Sequence, residues 1–196
     1  MNREKQVFKM FGESCFVKEN FINDNSGKLI EIINVILTAF KYGKKILIFG
    51  NGGSASDSQH MTCEFINRLK IDRAPLPAIS LNSDSSVLTS ISNDYDFSEI
   101  FSKQIEAIGK EGDVAFGITT SGNSLNVIKG INRAKIMGLE TICLTGNNGG
   151  EINKISDYSL IVPSDNTQRI QECHITIIHV ICEMAEKIYF YGENNI

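Results

Sequence analysis

Lys44-Lys45-Ile46-Leu47-Ile48-Phe49-Gly50-Asn51-Gly52-Gly53-Ser54-Ala55-Ser56-Asp57, continuing through His60 and Glu64 to Arg68, decides the fold. Four apolar residues in a row, closed by a glycine-rich loop and followed by small and polar residues, predict a buried strand, a tight turn and a helix start. Glycines suit a backbone that must bend sharply or let a ligand approach closely. Ser54 stands where an N-cap is expected, with Asp57 in the first turn. Backbone N–H groups at such a helix start attract anions, so the loop is a candidate phosphate or sugar site. No Gly-Lys-Ser/Thr follows, which excludes a Walker loop. The next expected strand ends at Leu81-Asn82 without the acidic residue of a dinucleotide site. Taken alone, the loop also reads as a tight βα turn with no ligand.

The helix behind the loop narrows the choice. His60 and Glu64 are four residues apart and project from one face about one turn above each other. Such a pair suits a divalent metal or acid/base work, or is simply a surface pair.

Outward from this unit the chain alternates. On the N-terminal side, Val7, Met10, Phe11 and Cys15, then Leu29, Ile32, Ile33, Ile36 and Phe40, recur at helical steps. The pattern predicts two amphipathic helices, separated by Asn23-Asp24-Asn25-Ser26-Gly27 and ended by Gly43. On the C-terminal side, strands are expected at residues 78–81, 114–118, 141–145 and 158–162, and helices at 83–91, 97–108, 125–137 and about 167–189. Asn93 and Asp94 fall between two of these helices. The alternation means an α/β fold, a five-stranded parallel sheet between two helical layers with helices ahead of it. We expect one domain over residues 1–196, with 1–43 as its helical extension, and ligands at the carboxyl ends of the strands.

Two further strand and helix ends carry chemistry. Thr119-Thr120-Ser121-Gly122-Asn123-Ser124 presents four side-chain hydroxyls from threonine and serine just before a helix, a phosphate cradle without a lysine. The last helix supplies Arg169-Ile170-Gln171-Glu172-Cys173-His174 and then His179. Gln171 and His179 are eight residues apart, about 80° around the helix, so both can border one pocket two turns long. His174 falls on another face.

Composition excludes several classes. Of 196 residues 42% are hydrophobic and 21% charged, which describes a globular protein, and a net charge of −4 favours neither nucleic acid nor an anionic membrane as partner. The five scattered cysteines contain no C-x-x-C pair and point to reduced thiols. With no signal-peptide core and no apolar run of spanning length, a cytoplasmic protein is expected.

Gly50-Asn51-Gly52-Gly53-Ser54, His60 with Glu64, Asn93-Asp94, the hydroxyl loop 119–124, and Arg169-Ile170-Gln171-Glu172 with His179 together resemble the SIS (sugar isomerase) domain family, and within it the phosphoheptose isomerases. That resemblance implies conversion of sedoheptulose 7-phosphate to glycero-manno-heptose 7-phosphate, the first step towards activated heptose for lipopolysaccharide or capsule. It also implies a homotetramer with sites at subunit interfaces, and one zinc ion per subunit held by His60, Glu64, Gln171 and His179. Asn51, Gly52, Gly53, Asn93 and Asp94 would contact the sugar, and Thr119, Thr120, Ser121 and Ser124 the phosphate. Thr119 stands where some relatives have serine, and Gln168 where some have aspartate. Aldose–ketose isomerisation needs a base for the carbon-bound proton and a partner for the oxygens. Glu64 suits the first role and His179 the second. A similar but non-catalytic group, the DiaA-type proteins that bind a replication initiator, lacks the equivalents of both. An isomerase of another sugar phosphate remains a further reading.

Overall fold

The structure is a computed structural model, and it describes residues 2–192. Its frame is a five-stranded sheet of β1 (Ile46–Gly50), β2 (Ala78–Ser80), β3 (Val114–Thr119), β4 (Glu140–Gly146) and β5 (Tyr158–Val162), in the order β2-β1-β3-β4-β5. Every pairing is parallel, and the β1–β3 register sets Gly50 opposite Ile118. The α/β expectation therefore holds. The strands are near-continuous apolar runs because both faces are covered.

Alternate strand residues divide the core. Ile46 and Ile48, with Phe116, Ile142 and Leu160, face a layer of α1 (Arg3–Lys41), α2 (Gly53–Ile66) and α7 (Thr167–Tyr191). Leu47 and Phe49 face α4 (Ile100–Ile108) and α5 (Leu125–Ile136) on the other side. The remaining helices, α3 (Ser85–Asp94), the 3-10 turn at Phe97–Glu99 and the short α6 (Ile152–Ile155), edge this second layer.

The N-terminal segment corrects the sequence reading. It is one helix of 39 residues, not two, and Asn23-Asp24-Asn25-Ser26-Gly27 lies within it. Phe21 and Leu29 are both buried, so the apolar face passes through the polar stretch without a phase break. The Asn25 amide donates to Phe21 O at 2.9 Å instead of ending the helix. A helical glycine costs about 1 kcal/mol relative to alanine, while burying a large apolar side chain contributes about 1.5–3 kcal/mol. Packing therefore overrides the turn propensity. At its N-terminal end α1 touches α7 where the Arg169 Nη1 donates to Met10 O at 2.7 Å. Further along, Phe40 meets Tyr189 edge-on, so the two helices run in the same direction.

Candidate active site

The glycine loop sits at the carboxyl end of β1. Helix α2 begins at Gly53 with Gly52 as its N-cap, so the expected cap at Ser54 is wrong: Ser54 is buried inside the first turn. Gly52 has φ of +55°, a conformation that side chains other than glycine rarely adopt. Gly53 lies under another helix. A Cβ there would lie 2.8 Å from Cδ of Gln171, so the carboxamide of α7 rests directly on the loop backbone.

Two asparagines brace the loop. Asn82, at the end of β2, accepts from Gly50 N–H at 3.2 Å and donates to Gly50 O at 2.9 Å. Asn51 and Asn126 exchange two amide hydrogen bonds of 2.8 Å each, latching the glycine loop to the start of α5. The sequence reading assigned neither Asn82 nor Asn126 a role. The only local signal is a polar residue at a strand end and another in the first turn of a helix.

The hydroxyl loop follows β3 on the adjacent strand. The Thr119 and Ser124 hydroxyls lie 3.0 Å apart, Ser121 Oγ is 3.4 Å from Thr119 Oγ1, and Thr120 is half-buried beside them. Ser124 is the N-cap of α5 yet its side chain makes no capping bond. Its hydroxyl is held by Thr119, which leaves backbone donors at the helix start facing the loop. Gly122 O and Asn123 Oδ1 accept from Ile152 N–H and Glu151 N–H, both at 3.0 Å, so α6 fixes the outer side of the loop. Asn93 and Asp94 close α3 instead of lying between helices. They are exposed, and the Asn93 amide donates to Asp94 Oδ1 at 2.9 Å. The structure shows no hydrogen bond from either of them to the cluster described next.

His60, Glu64 and His179 converge. His60 Nε2 is 2.9 Å from His179 Nε2 and 3.2 Å from Glu64 Oε1, and one ligand atom from each residue falls within 4.8 Å of the others. Two imidazole nitrogens this close share a single proton, or replace it with a cation. A tetrahedral zinc ion with bonds near 2.0–2.1 Å holds its ligand atoms about 3.3 Å apart, close to the 2.9 and 3.2 Å that separate His60 from His179 and from Glu64. Gln171, the fourth expected ligand, lies two turns before His179 with its carboxamide against Gly53. Helices α2 and α7 thus run side by side: Gly53 meets Gln171, and about two turns on along each helix His60 meets His179.

Two more ionisable groups border the site. Asp57 lies one turn before His60, its Oδ2 buried without a hydrogen-bond partner, and burial lifts its pKa to about 6 although the nearby His60 pulls it down. Its unpaired state was not legible in the sequence. His174, on the inner face of α7, is fully buried with Nε2 3.1 Å from Thr145 O, and burial pushes its pKa down to about 4. It is neutral, with the proton on Nε2 donated to β4, and is a seat for the helix, not a ligand.

Loops of donors at parallel strand ends, with two histidines and a glutamate that could hold a metal ion on the helices behind them, fit a sugar-phosphate domain of the isomerase type. The SIS domain family matches residues 12–146. The chain is 51% identical to the phosphoheptose isomerase of Aquifex aeolicus over 184 residues, covering 94% of this chain and 96% of that one. It is 50% identical to that of Thermodesulfovibrio yellowstonii over 190 residues, covering 97% and 94%. The solved structure of phosphoheptose isomerase GmhA from Neisseria gonorrhoeae superposes with a TM-score of 0.90 at 38% identity, covering 95% of this chain and all of that one. The chain belongs to the SIS domain family and, within it, to the phosphoheptose isomerases.

Proposed function

We propose that the protein is an aldose–ketose isomerase that converts sedoheptulose 7-phosphate to D-glycero-D-manno-heptose 7-phosphate, with Glu64 and His179 as its catalytic residues. The observation that carries this reading is the meeting of Glu64 and His179 in one cluster on two helices far apart in the chain. In the ketose-to-aldose direction Glu64 takes a proton from C1 while O2 gains one, giving the enediol. The proton then returns to C2 as O1 gives one up. Glu64 turns Oε1 to His60, which leaves Oε2 to handle the carbon-bound proton. His179 turns Nε2 to His60, which leaves Nδ1 to move protons on the two oxygens.

Asn51, Gly52, Gly53, Asn93, Asp94 and Gln171 hold the sugar, and Thr119, Thr120, Ser121 and Ser124 hold the phosphate, with Glu64 reaching the reacting carbons. His60, Glu64, Gln171 and His179 would hold one zinc ion per chain, and a zinc ion bound there supplies Lewis-acid polarisation of sugar oxygens. We place the product on the route to activated heptose for lipopolysaccharide or capsule.

The same reading includes a cytoplasmic homotetramer with sites at subunit interfaces. In its support, the outer half of α1 exposes Val7, Phe8, Met10, Phe11 and Phe16, Phe8 to 82%. A contiguous apolar surface of this kind marks an interface. His60 and His179 are themselves exposed along the cluster edge, where a neighbouring copy can cover them. All five cysteines are free, and among the described residues no helix is long and apolar enough to cross a membrane.

The test is to supply sedoheptulose 7-phosphate and shorter ketose phosphates in heavy water. Aldose should form, with deuterium taken up at C2. A folded, zinc-supplied protein that isomerises no ketose phosphate would sink the proposal and favour a binding role.

A further inference from the structure

Past the cluster, α2 ends and the chain turns through residues 67–77 before β2. The last carbonyls of a helix need donors from outside it. Here Asn67 N–H serves Cys63 O, while one side chain from the loop serves the next two. The Arg73 Nη2 donates to Glu64 O at 2.8 Å and Nη1 donates to Phe65 O at 2.6 Å. The residue whose carboxylate sits in the cluster is thus gripped at its backbone by Arg73.

The same guanidinium reaches α7. Arg73 Nε donates to Glu186 Oε1 at 2.9 Å, with the two side chains only 2% and 1% exposed. Glu186 Oε1 also accepts from Leu69 N–H at 3.1 Å, and Oε2 accepts from Lys70 N–H at 2.9 Å. Glu186 lies seven residues after His179, so the two side chains leave α7 within about 20° of the same direction. Contacts between α2 and α7 therefore form a ladder. Gly53 meets Gln171, His60 and Glu64 meet His179, and the end of α2 meets Glu186 through Arg73.

We infer that the Arg73–Glu186 pair is a positioning element for the metal cluster, fixing the height of Glu64 against His179 so that their ligand atoms converge. The chemistry asks for these residue types. Only a planar guanidinium can serve two helix carbonyls and a carboxylate at once. Only an ionised carboxylate can accept from two backbone N–H groups and that guanidinium together. Neither residue touches the ligand atoms, and both act through the backbone that carries them. Such outer partners typically change metal affinity by about 10- to 100-fold when altered.

This inference rests on the zinc reading above, and the test separates the two. Glu186→Gln sets an amide NH₂ among backbone donors and leaves Arg73 without its anion. Zinc affinity of the purified full chain is measured by chelator competition, and cobalt(II) is loaded for its visible absorption bands. The control is Asp113→Asn, at the opposite end of the sheet. Asp113 is likewise buried, and it accepts from Lys45 N–H, the Lys45 ammonium and Lys110 N–H. Glu186→Gln should weaken zinc binding by about tenfold or more and change the cobalt bands, while Asp113→Asn lowers the melting temperature and leaves both unaltered. Arg73→Lys, which keeps the charge but loses the fork, should behave as Glu186→Gln does, and it answers the question should Glu186→Gln fail to fold. Equal zinc affinity in parent and variants, or equal losses in Glu186→Gln and Asp113→Asn, would overturn the inference. A parent that binds neither metal would instead defeat the zinc reading itself.

Discussion

Acid should loosen this protein through a histidine outside the His60–Glu64–His179 cluster. Burial holds the His174 pKa at about 4 in the folded chain, against 6.5 when exposed. The folded state refuses a proton that the unfolded state accepts, so its stabilisation is complete above pH 6.5 and declines as pH falls towards 4. At about 1.4 kcal/mol per pKa unit the full loss is about 3 kcal/mol, and about 2 kcal/mol is already lost at pH 5. No discount for solvent applies, because the ring is fully buried. Asp57 acts in the opposite sense: its raised pKa lets the folded state hold a proton more readily, so it adds stability as pH falls through about 6. A comparison with His174→Gln cancels that contribution and those of the other groups. The glutamine amide can still donate to Thr145 O but does not titrate in this range. Urea denaturation in the presence of a metal chelator, between pH 7.5 and 5, is the assay. With a urea dependence of about 2 kcal/mol per molar, the midpoint of the parent should fall by about 1 M relative to that of the variant over this range. Parallel midpoint curves for parent and His174→Gln would refute the argument.

The cluster and loops give sharper functional outcomes. Glu64→Gln should preserve fold and assembly but reduce isomerisation by about 10² to 10⁴-fold, and near-parent turnover would remove Glu64 as the base. Ser121→Ala combined with Ser124→Ala should weaken binding of phosphorylated sugar by roughly 1.5–3 kcal/mol per lost hydrogen bond, with a smaller change in turnover. Unaltered sugar-phosphate affinity, read by calorimetry, would place the phosphate elsewhere. Purified protein should carry about one zinc per chain, and His60→Ala or His179→Ala should lower metal content and activity together. Metal analysis that finds full occupancy in both variants would contradict the ligand set.

How much of this was legible in the sequence depended on whether the decisive contact was local. The strands showed as apolar runs because a parallel sheet covered on both faces leaves little room for polar residues. His60 and Glu64 showed because helical spacing aligns them. The continuity of α1 did not, since turn propensity at Asn23–Gly27 competes with packing on a helix about 150 residues away, and propensity is the weaker term. The helix cap moved from Ser54 to Gly52 for a comparable reason, as the loop conformation is set by what lies on it. Asn82 and Asn126 showed only as polar residues at a strand end and a helix start, and Arg73 and Glu186 carried no local pattern. Their meaning comes from partners across the fold; helical spacing set His179 beside Gln171 at one pocket, and only the family resemblance joined it to His60 and Glu64.

The boundary of the family match separates two kinds of work. Residues 12–146 contain the glycine loop, the hydroxyl loop and the His60–Glu64 pair, all following strands of the common sheet. Gln171 and His179 lie beyond it, on α7, and they meet the matched region only because that helix runs beside α2. On the proposed reading the phosphate is gripped by the shared domain alone, whereas proton transfer needs a residue delivered by the last helix. The full-length agreement with the phosphoheptose isomerases, which extends through α7, therefore carries more weight for the reaction than the domain match does. Anything that lifts α7 from its seat on Gly53, Thr145 and Arg73 should disable the chemistry before it releases the phosphate.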